Sequence, residues 1–277
     1  MKFSLTFIIF SLLLSCQAQP KVTFDECKSY DLKQPSVVWE MPSVLDEISG
    51  IEILAHQKVI CHNDEHGNLF VYDLNNKTIE ITIPFAEAGD YEDVAIKGST
   101  AFVLRSDGTI FEVQNYLNSP KTIKHKTFLT QQDNTEGLFF DVDKNRLLVA
   151  SKSNSGKKDG KGKRFVYEYL LSENALNPTP VLTILQKEIQ KTYHVKSQFS
   201  PSGIAIHPIT KNIYILSSVG KMLAEFSSDG DLQKIYSLNY PHFMQPEGIS
   251  FTENGDLYIS NETKRYNANI LKFNFIP

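Results

Sequence analysis

The sequence predicts an all-β chain folded as a five-bladed β-propeller of four-stranded antiparallel blades, and three observations carry that prediction. First, one short phrase recurs: Glu47-Ile-Ser-Gly-Ile-Glu-Ile, Glu92-Asp-Val-Ala-Ile, Glu136-Gly-Leu-Phe-Phe, Ser202-Gly-Ile-Ala-Ile and Glu247-Gly-Ile-Ser-Phe. The intervals between these starting residues are 45, 44, 66 and 45. A period near 45 residues that holds several short strands is the length of one propeller blade. Second, each interval divides into short β-branched and aromatic runs punctuated by Gly, Asn and Asp, the pattern of strands joined by tight turns. Third, the last repeat ends after three strands, while an apolar β-forming run precedes the first repeat. Six blades are the alternative if the 66-residue interval hides one; its two visible insertions favour five.

The elements follow in order. Lys2 and the apolar run Phe3 to Leu14 have the form of a signal peptide over residues 1–15, too short for a stable spanning helix. The run ends Leu13-Leu14-Ser15-Cys16, a lipobox pattern that makes Cys16 the expected lipidation site and first mature residue; an ordinary secretory peptide is the plainer alternative. Acyl chains contribute roughly 0.8 kcal/mol of membrane affinity per buried CH₂. Gln17 after the cysteine, in place of Asp, points to the outer membrane of a Gram-negative cell envelope. Residues 16–36 are expected to form a tether and residues 37–277 the propeller, ample length for one closed domain. Once Cys16 is lipidated, Cys27 and Cys61 remain, and their pairing is open.

Within the propeller, strands A to D of blade one are expected at 50–54, 59–62, 68–74 and 78–84. Blade two repeats them at 94–97, 101–105, 109–113 and 122–128, and blade three at 138–141, 147–151, 165–170 and 181–185. Blade four takes 204–207, 213–217, 222–226 and 232–238; blade five has only 249–252, 257–260 and 270–275. A sheet edge left open there would invite edge-to-edge pairing. The run Val37-Val38-Trp39-Glu40-Met41 is therefore expected to supply the missing outer strand and close the ring.

Topology then groups the polar residues. The start of strand A and the end of strand B lie at the same end of an antiparallel meander. One column is Glu47, Glu92, Glu136, Ser202 and Glu247; a second is His62, Arg105, Ser151, Ser217 and Asn261; a third is Asn63, Ser106, Lys152, Ser218 and Glu262. All should ring the mouth of the central channel. Converging carboxylates repel unless they are protonated, paired with Arg105 or Lys152, or bound to a cation. Calcium suits best, since it takes six to eight oxygens with loose geometry; no His/Cys spacing suits zinc. Asp93, beside Glu92 and Asp90, completes the densest acidic cluster. The plainer use of such glutamates is to accept backbone N–H bonds from the neighbouring blade. A lone histidine such as His62 is more often a hydrogen-bonded wall residue than a ligand.

Both insertions are expected on this same face. The basic, glycine-rich stretch Ser153–Arg164 reads as a loop or an anion-clamping lid, and Lys187 to Lys191 within 186–200 as a short helical turn.

The phrases Leu45-Asp-Glu-Ile-Ser-Gly-Ile, Asp90-Tyr-Glu-Asp-Val-Ala, Asn134-Thr-Glu-Gly-Leu, Pro201-Ser-Gly-Ile-Ala and Gln245-Pro-Glu-Gly-Ile-Ser give the chain a resemblance to the SdiA-regulated family of bacterial propellers. The resemblance implies five blades, a distant likeness to NHL repeats, and a calcium site, carried here to Glu47, Glu92, Asp93, Glu136 and Glu247. It brings no biochemical activity.

The leading expectation is a lipid-anchored envelope propeller with calcium at its channel mouth, binding a small molecule or envelope protein. The ligand-binding candidates are His62, Arg105, Lys152, Asn261 and Glu262. A calcium-dependent hydrolase of phosphoesters, esters or lactones is the alternative, with Glu92 or His62 as base and Arg105 or Lys152 stabilising charge. An assembly scaffold is the third. Net charge is −4 and no basic surface is marked out, so nucleic acid is not an expected partner. Neither a Gly-x-Ser-x-Gly elbow nor a phosphate-binding glycine loop occurs.

Overall fold

The computed structural model describes residues 22–153, 161–262 and 267–277; the signal segment, Cys16 and most of the basic insertion lie outside them. The chain forms a closed ring of five antiparallel blades. After β1 (Val37–Glu40) come the four strands of blade one, β2 (Ile48–Leu54), β3 (Lys58–Asn63), β4 (Asn68–Asp73) and β5 (Thr78–Pro84). Blade two is β6 (Tyr91–Lys97), β7 (Thr100–Arg105), β8 (Ile110–Gln114) and β9 (Lys121–His125). Blade three is β10 (Thr135–Asp141), β11 (Arg146–Ser151) and β12 (Lys163–Leu170), whose outer edge carries both β13 (Ala175–Leu176) and β14 (Leu182–Leu185). β14 is the expected fourth strand, and the two-residue β13 is an addition ahead of it. Helix α1 (Gln186–Tyr193) then leads to blade four, β15 (Ser200–Ile206), β16 (Ile213–Val219), β17 (Met222–Phe226) and β18 (Leu232–Ser237). Blade five holds β19 (Pro246–Phe251), β20 (Leu257–Asn261) and β21 (Asn269–Phe273).

The ring closes as the unpaired edge demands. β1 lies antiparallel on β21, with Val37 opposite Lys272 and Glu40 opposite Asn269. Trp39 holds the seam: its indole stacks on Tyr258 at 5.9 Å and its Nε1 donates to Leu74 O of blade one at 2.8 Å.

The apolar core is five wedges, one between each pair of adjacent blades. Innermost strands pack so closely that some positions exclude a side chain. A Cβ on Gly248 would stand 2.6 Å from Ser49 O of the next blade, closer than real atoms approach, so glycine is required there. Cys27 and Cys61 are both free thiols, the first half-buried and the second in the wedge between blades five and one.

Residues 22–36 run down the outside of blade four. Asp25 N donates to Ile235 O at 3.0 Å, and Asp25 Oδ2 accepts from Ile235 N and Tyr193 Oη, both at 2.8 Å. Tyr30 Oη reaches Gly255 O at the far end of blade five. The chain then turns back as β1. Among the described residues no helix is long and apolar enough to cross a membrane.

Candidate functional site: the acidic channel mouth

The inner strands all begin at one end of the ring, and at that end they enclose a cavity of about 250 Å3. Its walls are Glu47, Ser49, Asp64, Asp90, Glu92, Glu136, Lys152, Gln245, Glu247 and Glu262. Among the described residues, seven carboxyl side chains thus face one amine, Lys152.

Strand register explains how they come together. Backbone bonds from Asp64 N to Glu47 O, Ser106 N to Asp90 O, Lys152 N to Asn134 O and Glu262 N to Gln245 O mark equivalent positions in four blades. Glu47 therefore belongs with Asp90, Asn134 and Gln245 in an outer ring. The inner ring is Ser49, Glu92, Glu136, Ser202 and Glu247. The expected column had Glu47 two positions out of place. The second column was displaced as well: Asn63 pairs with Ile48, as Arg105 pairs with Tyr91 and Asn261 with Pro246. Asn63, not His62, is the equivalent residue, and Asp64 takes the place the sequence reading gave to Asn63. That one-residue slip is why Asp64 was missed. The signal was present, since an acid follows directly in Asn63-Asp64-Glu65.

Of the site residues expected from sequence, Glu47, Glu92, Glu136, Glu247, Lys152 and Glu262 meet at the cavity. Four do not. Asp93 turns into the blade interface, where Oδ2 accepts from Leu138 N of blade three at 2.7 Å and Oδ1 from Val94 N at 2.8 Å. Glu92 and Asp93 are neighbours on one strand, so their side chains point to opposite sides; one faces the channel and the other the next blade. His62 is fully buried; its Nε2 accepts from Gly50 N at 3.2 Å, and Nδ1 lies 3.2 Å from Asn63 O. Burial pulls its pKa down to about 4, so it is a neutral spacer in the wall. Arg105 folds onto Asp107, with bonds of 2.7 and 3.0 Å, and lies over the Phe111 ring. Asn261 is buried and donates to Asn269 Oδ1 at 3.1 Å.

Electrostatics at the mouth are unfavourable to charge. Lys152 Nζ bonds Glu136 Oε1 at 2.7 Å, and Asn134 Nδ2 bonds the same oxygen at 2.8 Å. Burial, then the nearby Glu136, pushes Glu92 up to about 10. Burial and Glu136 likewise raise Glu247 to about 8, and burial followed by Glu47 raises Asp64 to about 7. Glu247 Oε1 accepts from Gln245 Nε2 at 2.9 Å, but its Oε2 is buried with no hydrogen-bond partner, as is Asp64 Oδ1. Buried acceptors left unmatched cost about 1–3 kcal/mol each.

The model of the SdiA-regulated family matches residues 37–268, from the closing strand into the fifth blade. The chain belongs to the SdiA-regulated family. No curated protein matches it. Among solved structures, a Bacteroides thetaiotaomicron VPI-5482 protein of unknown function is similar at 11% identity and TM-score 0.56, over 88% of this chain and 61% of that one. A luciferin-regenerating enzyme is similar at 12% identity and TM-score 0.52, over 87% and 95% of the two chains. A pyrroloquinoline-quinone-bound aldose sugar dehydrogenase from Streptomyces coelicolor matches at 12% and 0.52, over 88% and 100%. At such identities these likenesses speak to the fold alone.

For calcium, the donor chemistry of this SdiA-regulated propeller fits. The cavity offers carboxyl, hydroxyl and amide oxygens, the hard donors that calcium takes, and two of its buried carboxyl oxygens lack partners. The carboxyls are not already gathered on one point: among the described residues, no three His, Cys, Asp or Glu side chains stand close enough to close on one ion. To hold an ion, the cavity carboxyls would have to draw together around it, with Lys152 as the competing cation.

Proposed function

We propose that this protein is a binding propeller of the bacterial cell envelope, lipid-anchored through Cys16 at the outer membrane, which takes calcium at its acidic mouth. A small molecule or envelope protein then binds over the ion on the same face. The observation that carries the reading is Glu247 Oε2: a buried carboxyl oxygen with no hydrogen-bond partner among the described residues, on a side chain that lines a cavity where, among those residues, seven carboxyls meet Lys152. Without a cation, uptake of a proton is one way for the group to lower its energy. A divalent ion satisfies the oxygen and the neighbouring charges together. The hydrolase reading would have to rest on Glu92 and Lys152, which line the cavity, since its other candidates, His62 and Arg105, bond within their own blades.

Thermal unfolding of the processed protein in EDTA and then in calcium tests the proposal. At a concentration 100 times the dissociation constant the ion adds about 2.7 kcal/mol, which moves Tm by roughly 5–10 °C for a domain of this size. Glu247→Gln should remove the shift and Asp93→Asn should keep it. An identical Tm in both solutions would overturn the calcium reading.

A further inference from the structure

Val22, where the described chain begins, and the acidic mouth lie on the same side of the ring. Val22 lines a groove of about 860 Å3 with Phe24, Val195, Lys196, Gly220 and Lys221 among its walls. Gly220 and Lys221 form the turn between the end of β16 and the start of β17, and α1 joins the end of β14 to the start of β15. Those are the strand ends that face the channel mouth, so the groove belongs to the mouth face at the rim of blade four.

A length argument decides what that rim meets. Six Cα steps separate Cys16 from Val22, a reach of at most about 20 Å. A seven-residue strand such as β15 spans roughly 23 Å. With the anchor proposed at Cys16, a tether shorter than the blade is tall would hold the mouth-side rim of blade four near the bilayer, with the opposite face out of reach.

The composition of the rim fits that neighbour. The chain carries a net charge of −4, yet among the described residues the groove is lined by Lys196, Lys221 and His194 and by no carboxylate. Val22 in the groove is 45% exposed, and Val219, next to Gly220 of its wall, 44%. Apolar side chains interleaved with lysines suit the headgroup region, where each cation near an anionic surface contributes about 1 kcal/mol. We infer that the mouth-side rim of blade four is a membrane-docking surface that rests on anionic phospholipid headgroups. The inference depends on the lipid anchor at Cys16 and not on the calcium reading. Docked in this way, the acidic mouth opens beside the bilayer, and its ligand arrives along the membrane.

The full processed protein, bound to vesicles of phosphatidylethanolamine and phosphatidylglycerol with brominated acyl chains, provides the test. A fluorophore is placed at Val219→Cys on the rim, or at Val142→Cys, a turn on the opposite face that is 70% exposed. Both are made in a Cys27→Ser background, since Cys61 is sealed in the core. The expected result is quenching at least threefold stronger at 219 than at 142, reduced by the pair Lys196→Glu and Lys221→Glu and by omitting phosphatidylglycerol. Equal or reversed quenching overturns the docking surface while leaving the anchor intact. The mass of the N-terminal peptide reads the anchor separately, and an unmodified Cys16 overturns both.

Discussion

Glu247 has two oxygens in different circumstances: one accepts from Gln245, and the other is buried without a partner. That asymmetry has a pH signature. Its pKa is raised from the usual 4.5 to about 8, by burial first and then by Glu136. The folded chain therefore holds a proton that the unfolded chain has released, and stability falls as pH rises through the window from about 4.5 to 8. In EDTA, chemical denaturation of the wild type should show this decline. Glu247→Gln should make the decline shallower, the rest belonging to Glu92 and Asp64, and leave the variant more stable than wild type at pH 8, on the order of 2 kcal/mol. Calcium should flatten the wild-type profile as well. A Glu247→Gln profile parallel to wild type would show that the side chain ionises freely. Asp93 gives the contrast at this scale. It bonds across the blade interface, so Asp93→Ala should cost about 1–3 kcal/mol by stranding the Leu138 N–H, in EDTA and in calcium alike.

The closing strand β1 is the element on which the ring depends, and the only tryptophan in the chain, Trp39, sits in it. Trp39 is buried, stacked on Tyr258 and bonded to Leu74 O. Trp39→Ala should cost about 3–5 kcal/mol, measured by urea denaturation followed by far-UV circular dichroism. In the wild type, tryptophan emission should shift at the same urea concentration as the dichroism is lost. A fluorescence change that comes first would mean that the clasp opens before the blades melt. Most of this architecture was legible in the sequence: the repeat phrase, the turn residues and the unpaired last blade fixed five blades and their closure by residues 37–41. What counting could not resolve was register. Turns between the first two strands of a blade differ in length, so aligning Glu47 with Glu92 slipped blade one by two residues and its second strand by one. Lys152, Glu136, Glu92, Glu247 and Glu262 survived that slip because their own blades were in step. Asp93 and Arg105 were misplaced for another reason: side-chain direction and a local Asp107 partner depend on the pleat and on neighbours, which spacing does not encode.

At the scale of the whole molecule, charge is sorted by position. The mouth gathers carboxyls at its centre, while the rim of blade four carries lysines and exposed apolar side chains around the point where the chain enters. The fold makes this sorting inexpensive because the loops at one end of each blade vary without disturbing the five apolar wedges between them. Ring closure by the first strand has a mechanical consequence too. Cutting the backbone once, at the exposed Val142–Asp143 turn between β10 and β11, would leave two fragments still zipped along two seams, β10 on β11 and β1 on β21. A singly nicked sample should elute as one particle under native conditions and separate into two bands only after denaturation. To a protease that strikes once, such a hoop is a poor target: severing it takes two cuts, and a single scission leaves its acidic centre in place.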